Sequence, residues 1–156
     1  RAIVIDNRCV DNKLVAIGVT DRSSATIRGN KLARTGGVPP IIAVKDDSTA
    51  TIDHNDIQGG GVAAILVQGT ATIVKNRLQG RGEKQGNAIW AWESSTVKID
   101  DNSFDGYRTA IRANRAIVVF TGNKVKSPFP GPAIVVKDSL RPGQISDNAM
   151  TTNDRH

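Results

Sequence analysis

The sequence predicts an all-β protein, a right-handed parallel β-helix of about seven coils. Three observations predict this solenoid. An asparagine recurs at intervals of 21–26 residues, apolar residues are spaced by two around it, and Gly, Asn, Asp and Pro separate the short apolar blocks. The 15 glycines, the 6 prolines and the many β-branched residues disfavour helices. Right-handed connection is the rule between parallel strands of one sheet.

Seven asparagines define the repeat, at intervals of 23, 25, 21, 26, 21 and 25 residues. They are Asn7, Asn30, Asn55, Asn76, Asn102, Asn123 and Asn148. Equivalent residues of stacked coils form columns with a spacing of roughly 4.8 Å, so each side-chain amide can bond to the coils on both sides. Asparagine also tolerates the left-handed conformation that a tight bend needs. We therefore predict a structural ladder and not a binding site.

Three short strands per coil follow from the apolar positions. An apolar residue stands three positions before each asparagine and another two positions after it, and a further block is centred on an isoleucine between successive asparagines. The period of two places alternate side chains in one interior. The isoleucines of the further block are Ile17, Ile42, Ile65, Ile89, Ile111 and Ile134. Leucine-rich repeats have a similar length but place several leucines around their asparagine, whereas Ile and Val dominate here.

The composition fits a thin core and a basic surface. Hydrophobic residues make up 38% of the chain and aromatic residues 4%. The net charge of +6 favours an anionic partner. The basic residues are scattered, without the run that is typical of nucleic-acid tails, so no nucleic-acid partner is predicted. The longest apolar run, Val62 to Val67, is too short for a membrane span.

The chain is predicted to be a single domain over residues 1–156, excised from a longer protein, because it lacks an initiator methionine and enters an apolar strand at once. Cys9 is the only cysteine, so no internal disulfide is possible. The ends of a solenoid need covering, and open strand edges template association. We therefore expect additional domains or coils, or a homo-oligomer.

The repeat resembles those of the pectate-lyase-like superfold, which includes polysaccharide lyases and mannuronan epimerases. The motif A-T-I-x-x-N-x-[LI]-x-G stands at residues 50–59 and is followed by A-I-x-V at 64–67, and the resemblance covers residues 2 to 150. It implies an extracellular or periplasmic location and an acidic polysaccharide as the partner. It also implies that the A-I-x-V block is the first strand, where lyases carry a basic catalytic residue and clustered aspartates with calcium.

The outward positions of the first strand contain no acidic cluster. Arg112 and Lys45 are weak candidates for a catalytic base. His54 is a third, because Asp53-His54-Asn55-Asp56 is similar to the Asp-Pro-His-Asp motif of mannuronan epimerases, without its proline. The acidic residues after the first strand are interpreted as turn residues; they are Asp21, Asp46, Asp47, Glu93 and Asp138. No metal site and no cofactor is therefore predicted, and calcium is the only ion considered.

Trp90 and Trp92 alternate with Ile89 and Ala91, which predicts two indoles side by side on the outer face. Exposed aromatic surface needs a reason, and sugar rings stack on such platforms. Basic residues are expected near the same side, so the predicted substrate-binding set is Trp90, Trp92, Arg112, Lys45, Arg108 and Lys137. The alternative is that the loop of residues 80–87 covers both indoles, or that they fill an interface.

Two functions remain open from sequence. The first is a carbohydrate-associated domain derived from a polysaccharide lyase or an epimerase-like protein. The second is a non-catalytic structural or oligomerisation module, which the lack of a convincing catalytic constellation favours.

Overall fold

The computed structural model describes residues 1–81, 86–127, 129–139 and 143–152. Within these residues the only regular secondary structure is β-strand, in short segments separated by bends. The strands are β1 (Ala2–Ile5), β2 (Arg8–Val10), β3 (Ile17–Val19), β4 (Ser24–Arg28), β5 (Lys31–Arg34), β6 (Ile42–Asp53), β7 (Asp56–Gly59), β8 (Ala63–Val74), β9 (Arg77–Gln79), β10 (Asn87–Ala91), β11 (Thr96–Asp100), β12 (Ser103–Asp105), β13 (Thr109–Asn114), β14 (Ile117–Thr121), β15 (Lys124–Ser127), β16 (Ile134–Lys137), β17 (Gln144–Ser146) and β18 (Ala149–Thr152).

The strands stack into a parallel β-solenoid with three faces. The first face carries β3, the start of β6, the start of β8, β10, β13 and β16. The second carries β1, β4, the ends of β6 and β8, β11, β14 and β17. The third is a separate seven-stranded sheet of β2, β5, β7, β9, β12, β15 and β18.

All the pairings described are parallel, and the solenoid makes about six complete turns with right-handed connections. The predicted fold class is therefore confirmed. The predicted seven coils correspond to seven strands on each of the second and third faces, whereas the first face has six described strands. β6 and β8 each run through the bend between the first two faces, which joins these faces into one sheet.

The core lies inside the coil and consists of the inward columns predicted from the period of two. Ile52, Ile73 and Ile99 are paired in register on the second face and have no exposed surface. Larger rings fill the later coils, where Phe104 and Phe120 stack with their centroids 5.7 Å apart. Small aliphatic side chains suffice because each coil is only a few side chains wide, as the low aromatic content indicates.

The seven asparagines form the predicted ladder at the bend between the second and third faces. Each Oδ1 from Asn30 onwards accepts hydrogen bonds from the backbone N–H and from the Nδ2 of the asparagine one coil earlier, at 2.8–3.3 Å. Each Nδ2 from Asn30 onwards also donates to a backbone carbonyl of the preceding coil. The five central asparagines are at most 2% exposed.

The left-handed residue of this bend stands one position earlier than the sequence predicts. The residue before each asparagine has a φ between 54° and 67°, in the order Asp6, Gly29, His54, Lys75, Asp101, Gly122 and Asp147. The asparagine itself does not adopt the left-handed conformation. The residue before it makes the turn, and the amide of the asparagine points into the ladder. His54 is therefore one of the residues that form this repeated bend.

Candidate functional site

The outer face of the first sheet carries an aromatic pair at its centre. Trp90, on β10, is paired in register with Leu66 of β8 and Arg112 of β13. Its ring centroid lies 5.8 Å from that of Trp92, with an angle of 72° between the planes, which is an edge-to-face contact. The Cζ atom of Arg112 lies 5.0 Å from the Trp90 centroid, so the guanidinium covers one face of the indole.

The two indoles differ in exposure although both occupy outward positions. Ile89 and Ala91 are fully buried, as the alternation predicts, and Trp92 is 36% exposed. Trp90 is half-buried and so is less exposed than Trp92. Its neighbour Leu66 is only 4% exposed despite its outward position. The outward column is therefore packed from Leu66 through Trp90 to Arg112. The alternative that a loop covers the indoles depends partly on residues 82–85, which lie outside the described residues.

The indoles border an open depression of about 330 Å³ that is lined by Gln68, Trp90, Trp92, Glu93 and Asn114. Two amides, one carboxylate and two aromatic rings converge there. The sequence prediction did not include Gln68, Glu93 or Asn114 in the binding set. Gln68 and Asn114 were within its reach, because they flank Trp92 in the same outward column. The arrangement supplies donors and acceptors around a flat apolar surface.

The carboxylate of Glu93 is weakly paired with Arg115. Its Oε1 lies 3.9 Å from Nη1 of Arg115, at the limit of an ion pair, and both side chains are more than half exposed. Such a surface pair contributes little free energy. The lining of the depression is therefore polar and partly anionic, and no lysine or arginine belongs to it among the residues described.

The predicted cations stand at different distances from the indoles. Lys45 and Lys137 are two coils from Trp92 on opposite sides, which is roughly 10 Å in each direction. Arg108 precedes Arg112 by four residues, roughly 13 Å along an extended chain, and its guanidinium lies 5.0 Å from the ring centroid of Phe129. Arg112 is thus the only predicted cation in described contact with an indole.

The three weak catalytic candidates are not brought together. Nδ1 of His54 lies 2.9 Å from Oδ1 of Asp53, at the bend between the second and third faces. Lys45 and Arg112 lie on the first face but three coils apart, roughly 14 Å. The geometry therefore provides no acid–base pair among these side chains.

The acidic residues after the first strand are turn residues, as predicted. Asp21, Asp46, Asp47 and Asp138 all have a φ between 51° and 60°, the left-handed conformation that aspartate tolerates better than most residues. Across the described ranges, no three His, Cys, Asp or Glu side chains are grouped as a metal ion would require. The positions of these aspartates therefore follow from the backbone geometry.

The whole chain, residues 1–156, matches the model of a protein family described as NosD, periplasmic copper-binding protein. No curated protein and no solved structure gives a significant match to the chain. The periplasmic location agrees with the extracellular or periplasmic location that the sequence predicts. Among the residues that the structure describes, none belongs to a helix able to cross a bilayer.

The copper in the family description differs from the sequence prediction of no cofactor, so the donors present decide whether the chain fits this metal. Copper favours imidazole, thiolate and thioether ligands. The described residues offer Cys9 in β2, His54 at its bend and Met150 in β18. Cys9 and Met150 occupy the first and last strands of the third face, roughly 29 Å apart, and His54 is hydrogen-bonded to Asp53. These donors do not fit a copper centre.

Proposed function

We propose that this chain, which belongs to the NosD family of periplasmic proteins, contacts an acidic polysaccharide through the outer face of its first sheet and acts there as a binding domain. The site is the groove defined by Gln68, Trp90, Trp92, Glu93 and Asn114, with Arg112 stacked on Trp90.

The exposed edge-to-face indole pair beside convergent amides carries this proposal. A sugar ring has apolar C–H faces and a polar rim of hydroxyl groups. Indole surface suits the faces, and amide and carboxylate groups suit the rim through hydrogen bonds. The guanidinium of Arg112 adds a fixed positive charge at one side of the platform, which favours an anionic chain.

No catalytic partner stands beside Arg112 among the residues that the structure describes, and this favours binding over turnover. Removal of a sugar proton needs a positioned base and a group that stabilises the resulting charge. The guanidinium of Arg112 lies over an indole, and the acid nearest to the platform in the groove lining is Glu93, whose negative charge would oppose a developing carboxylate dianion.

The test separates the two tryptophans. Trp92→Ala should weaken binding to acidic oligosaccharides by about tenfold, or about 1.4 kcal/mol, with little change in melting temperature, because the ring is 36% exposed. Trp90→Ala should weaken binding too, and should also lower the stability by about 2–4 kcal/mol, because the ring packs between Leu66 and Arg112. Glycan affinity measured by calorimetry that is unchanged in Trp92→Ala would reject the platform.

A further inference from the structure

One column of side chains runs through the groove and beyond it at both ends. It consists of the outward residues that close the first strand in five successive coils, which are Lys45, Gln68, Trp92, Asn114 and Lys137. Coils are spaced by roughly 4.8 Å, a length comparable to one pyranose unit. A linear glycan lying along the solenoid axis would therefore place about one sugar on each coil.

Charge varies systematically along this column. Its two ends are cationic, its second and fourth positions are neutral amides, and its centre is Trp92 with Glu93 beside it. Asp46 and Asp138, which follow the two lysines, adopt the left-handed conformation, whereas Glu93 does not and lines the groove. The groove lining thus contains one carboxylate, that of Glu93, and the column has a lysine beyond each end of the groove. Arg112 and Arg115 lie beside the centre but outside the lining.

We infer that the groove selects a linear heteropolysaccharide in which a neutral sugar lies on Trp92 and anionic sugars flank it at a distance, near Lys45 and Lys137. This inference rests on the proposed function and specifies its substrate class. A polymer with a uronate on every sugar is disfavoured, because one carboxylate would face Glu93 at the centre of the site.

The hydrogen-bonding groups at the centre fit a neutral sugar. The carboxylate of Glu93 only accepts hydrogen bonds, and the amides of Gln68 and Asn114 both donate and accept. Vicinal hydroxyl groups of a neutral hexose can satisfy all three. The lysine stems are long and flexible, so their ammonium groups can follow an anionic sugar within several ångströms of its coil.

Three oligosaccharide probes of matched length test the inference by calorimetry. They are fragments of deacylated gellan, which has one glucuronate per four sugars, oligogalacturonate, in which every sugar is anionic, and cello-oligosaccharides, which have no charge. The wild-type chain should bind the gellan fragments at least tenfold more tightly than either other probe. Gellan fragments too short to carry two glucuronates should lose most of this advantage.

Two sets of variants assign the selectivity to the column. Glu93→Gln should raise the affinity for oligogalacturonate at least threefold, and the ratio of gellan affinity to oligogalacturonate affinity should fall accordingly. The double variant Lys45→Ala, Lys137→Ala should lower gellan affinity about tenfold. The matched control is Lys31→Ala, Lys124→Ala, which removes the same charge from the third face, where both side chains are exposed; it should have little effect.

The outcomes distinguish this inference from the proposed function. Binding of oligogalacturonate as tight as that of the gellan fragments, dependent on Trp92 but not improved by Glu93→Gln, would overturn the inference and leave the binding platform in place. Equal loss of gellan affinity in the two lysine double variants would also overturn it. Failure of all three probes to bind in a Trp92-dependent way would overturn both.

Discussion

The asparagine ladder provides the sharpest test of the fold, through the substitution Asn76→Ala. The side chain of Asn76 makes four hydrogen bonds. Its Nδ2 donates to the carbonyl of Ile52 at 2.8 Å and to Oδ1 of Asn102 at 3.0 Å. Its Oδ1 accepts from the backbone N–H and from Nδ2 of Asn55, both at 2.9 Å. All four bonds are buried.

The expected loss of stability follows from these bonds. Alanine removes all four and leaves a backbone N–H, an amide N–H and a carbonyl without their partners, at a position where Asn76 is 2% exposed. Water cannot easily replace the bonds there. At about 1 kcal/mol for each bond, the free energy of unfolding should fall by about 4 kcal/mol.

A matched control lies at the end of the same ladder. Asn7 is exposed, and its side chain makes two hydrogen bonds, to the carbonyl of Ile5 and to Oδ1 of Asn30, both at 3.1 Å. Water can replace both, so Asn7→Ala should cost less than about 1 kcal/mol. Urea unfolding followed by circular dichroism measures the two variants against the wild type. Equal costs, or a cost below about 1 kcal/mol for Asn76→Ala, would refute the claim that buried amide bonds stabilise the stack.

Two further predictions concern pH and catalysis. The backbone N–H of Thr35, then its hydroxyl, and then the charges of Arg81 and Arg34 lower the pKa of Asp11 from its ordinary value of 3.8. Since the folded-state pKa is lowered, the ionised carboxylate stabilises the fold above the ordinary pKa, and this contribution is lost as the pH falls through the folded-state value. Asp11→Asn tests this, because asparagine also suits the left-handed conformation at this position. The substitution should lower the melting temperature at neutral pH and have no effect in strong acid. A decrease in melting temperature that does not vary with pH would contradict the prediction. The wild-type chain should release no unsaturated uronates from pectate or alginate, measured by ultraviolet absorbance, and robust turnover that Arg112→Ala abolishes would contradict that prediction.

The fold was predictable because a solenoid converts sequence period into spatial register. The asparagines are 21 to 26 residues apart, yet each bonds to the next, since the extra residues are absorbed in the connections between strands. A second, shorter set of polar contacts was missed. The buried hydroxyls of Ser48 and Ser95 accept from backbone N–H groups of the preceding coil, seven residues before the asparagine in each case. Only some coils carry a serine there, so the column is hard to recognise in the sequence.

The sequence predicts which side of the sheet the indoles occupy but not how deeply they are packed. Alternation through β10 and on to Trp92 puts both indoles on the outer side, and neither is buried as Ile89 and Ala91 are. It contains no information on how far a side chain lies above the sheet, so it could not show that Leu66 is buried next to Trp90 or that Arg112 covers one face of that ring. The sequence prediction also treated the basic residues as one group, whereas Arg108 contacts Phe129 and the two lysines lie beyond the ends of the groove.

In a solenoid, a residue that differs in type from the residues at equivalent positions of the other coils is a candidate for a functional role. Most positions of the turn after the first strand carry aspartate or another residue in the left-handed conformation, as in Asp46 and Asp138, and this choice follows from backbone geometry alone. Glu93 occupies the same turn without that conformation, so no such requirement explains an acid there. It follows Trp92, the one large aromatic residue of a column otherwise made of Thr, Lys, Gln and Asn. Two adjacent departures occur in one coil and line the same depression, which is why the proposed ligand is placed there.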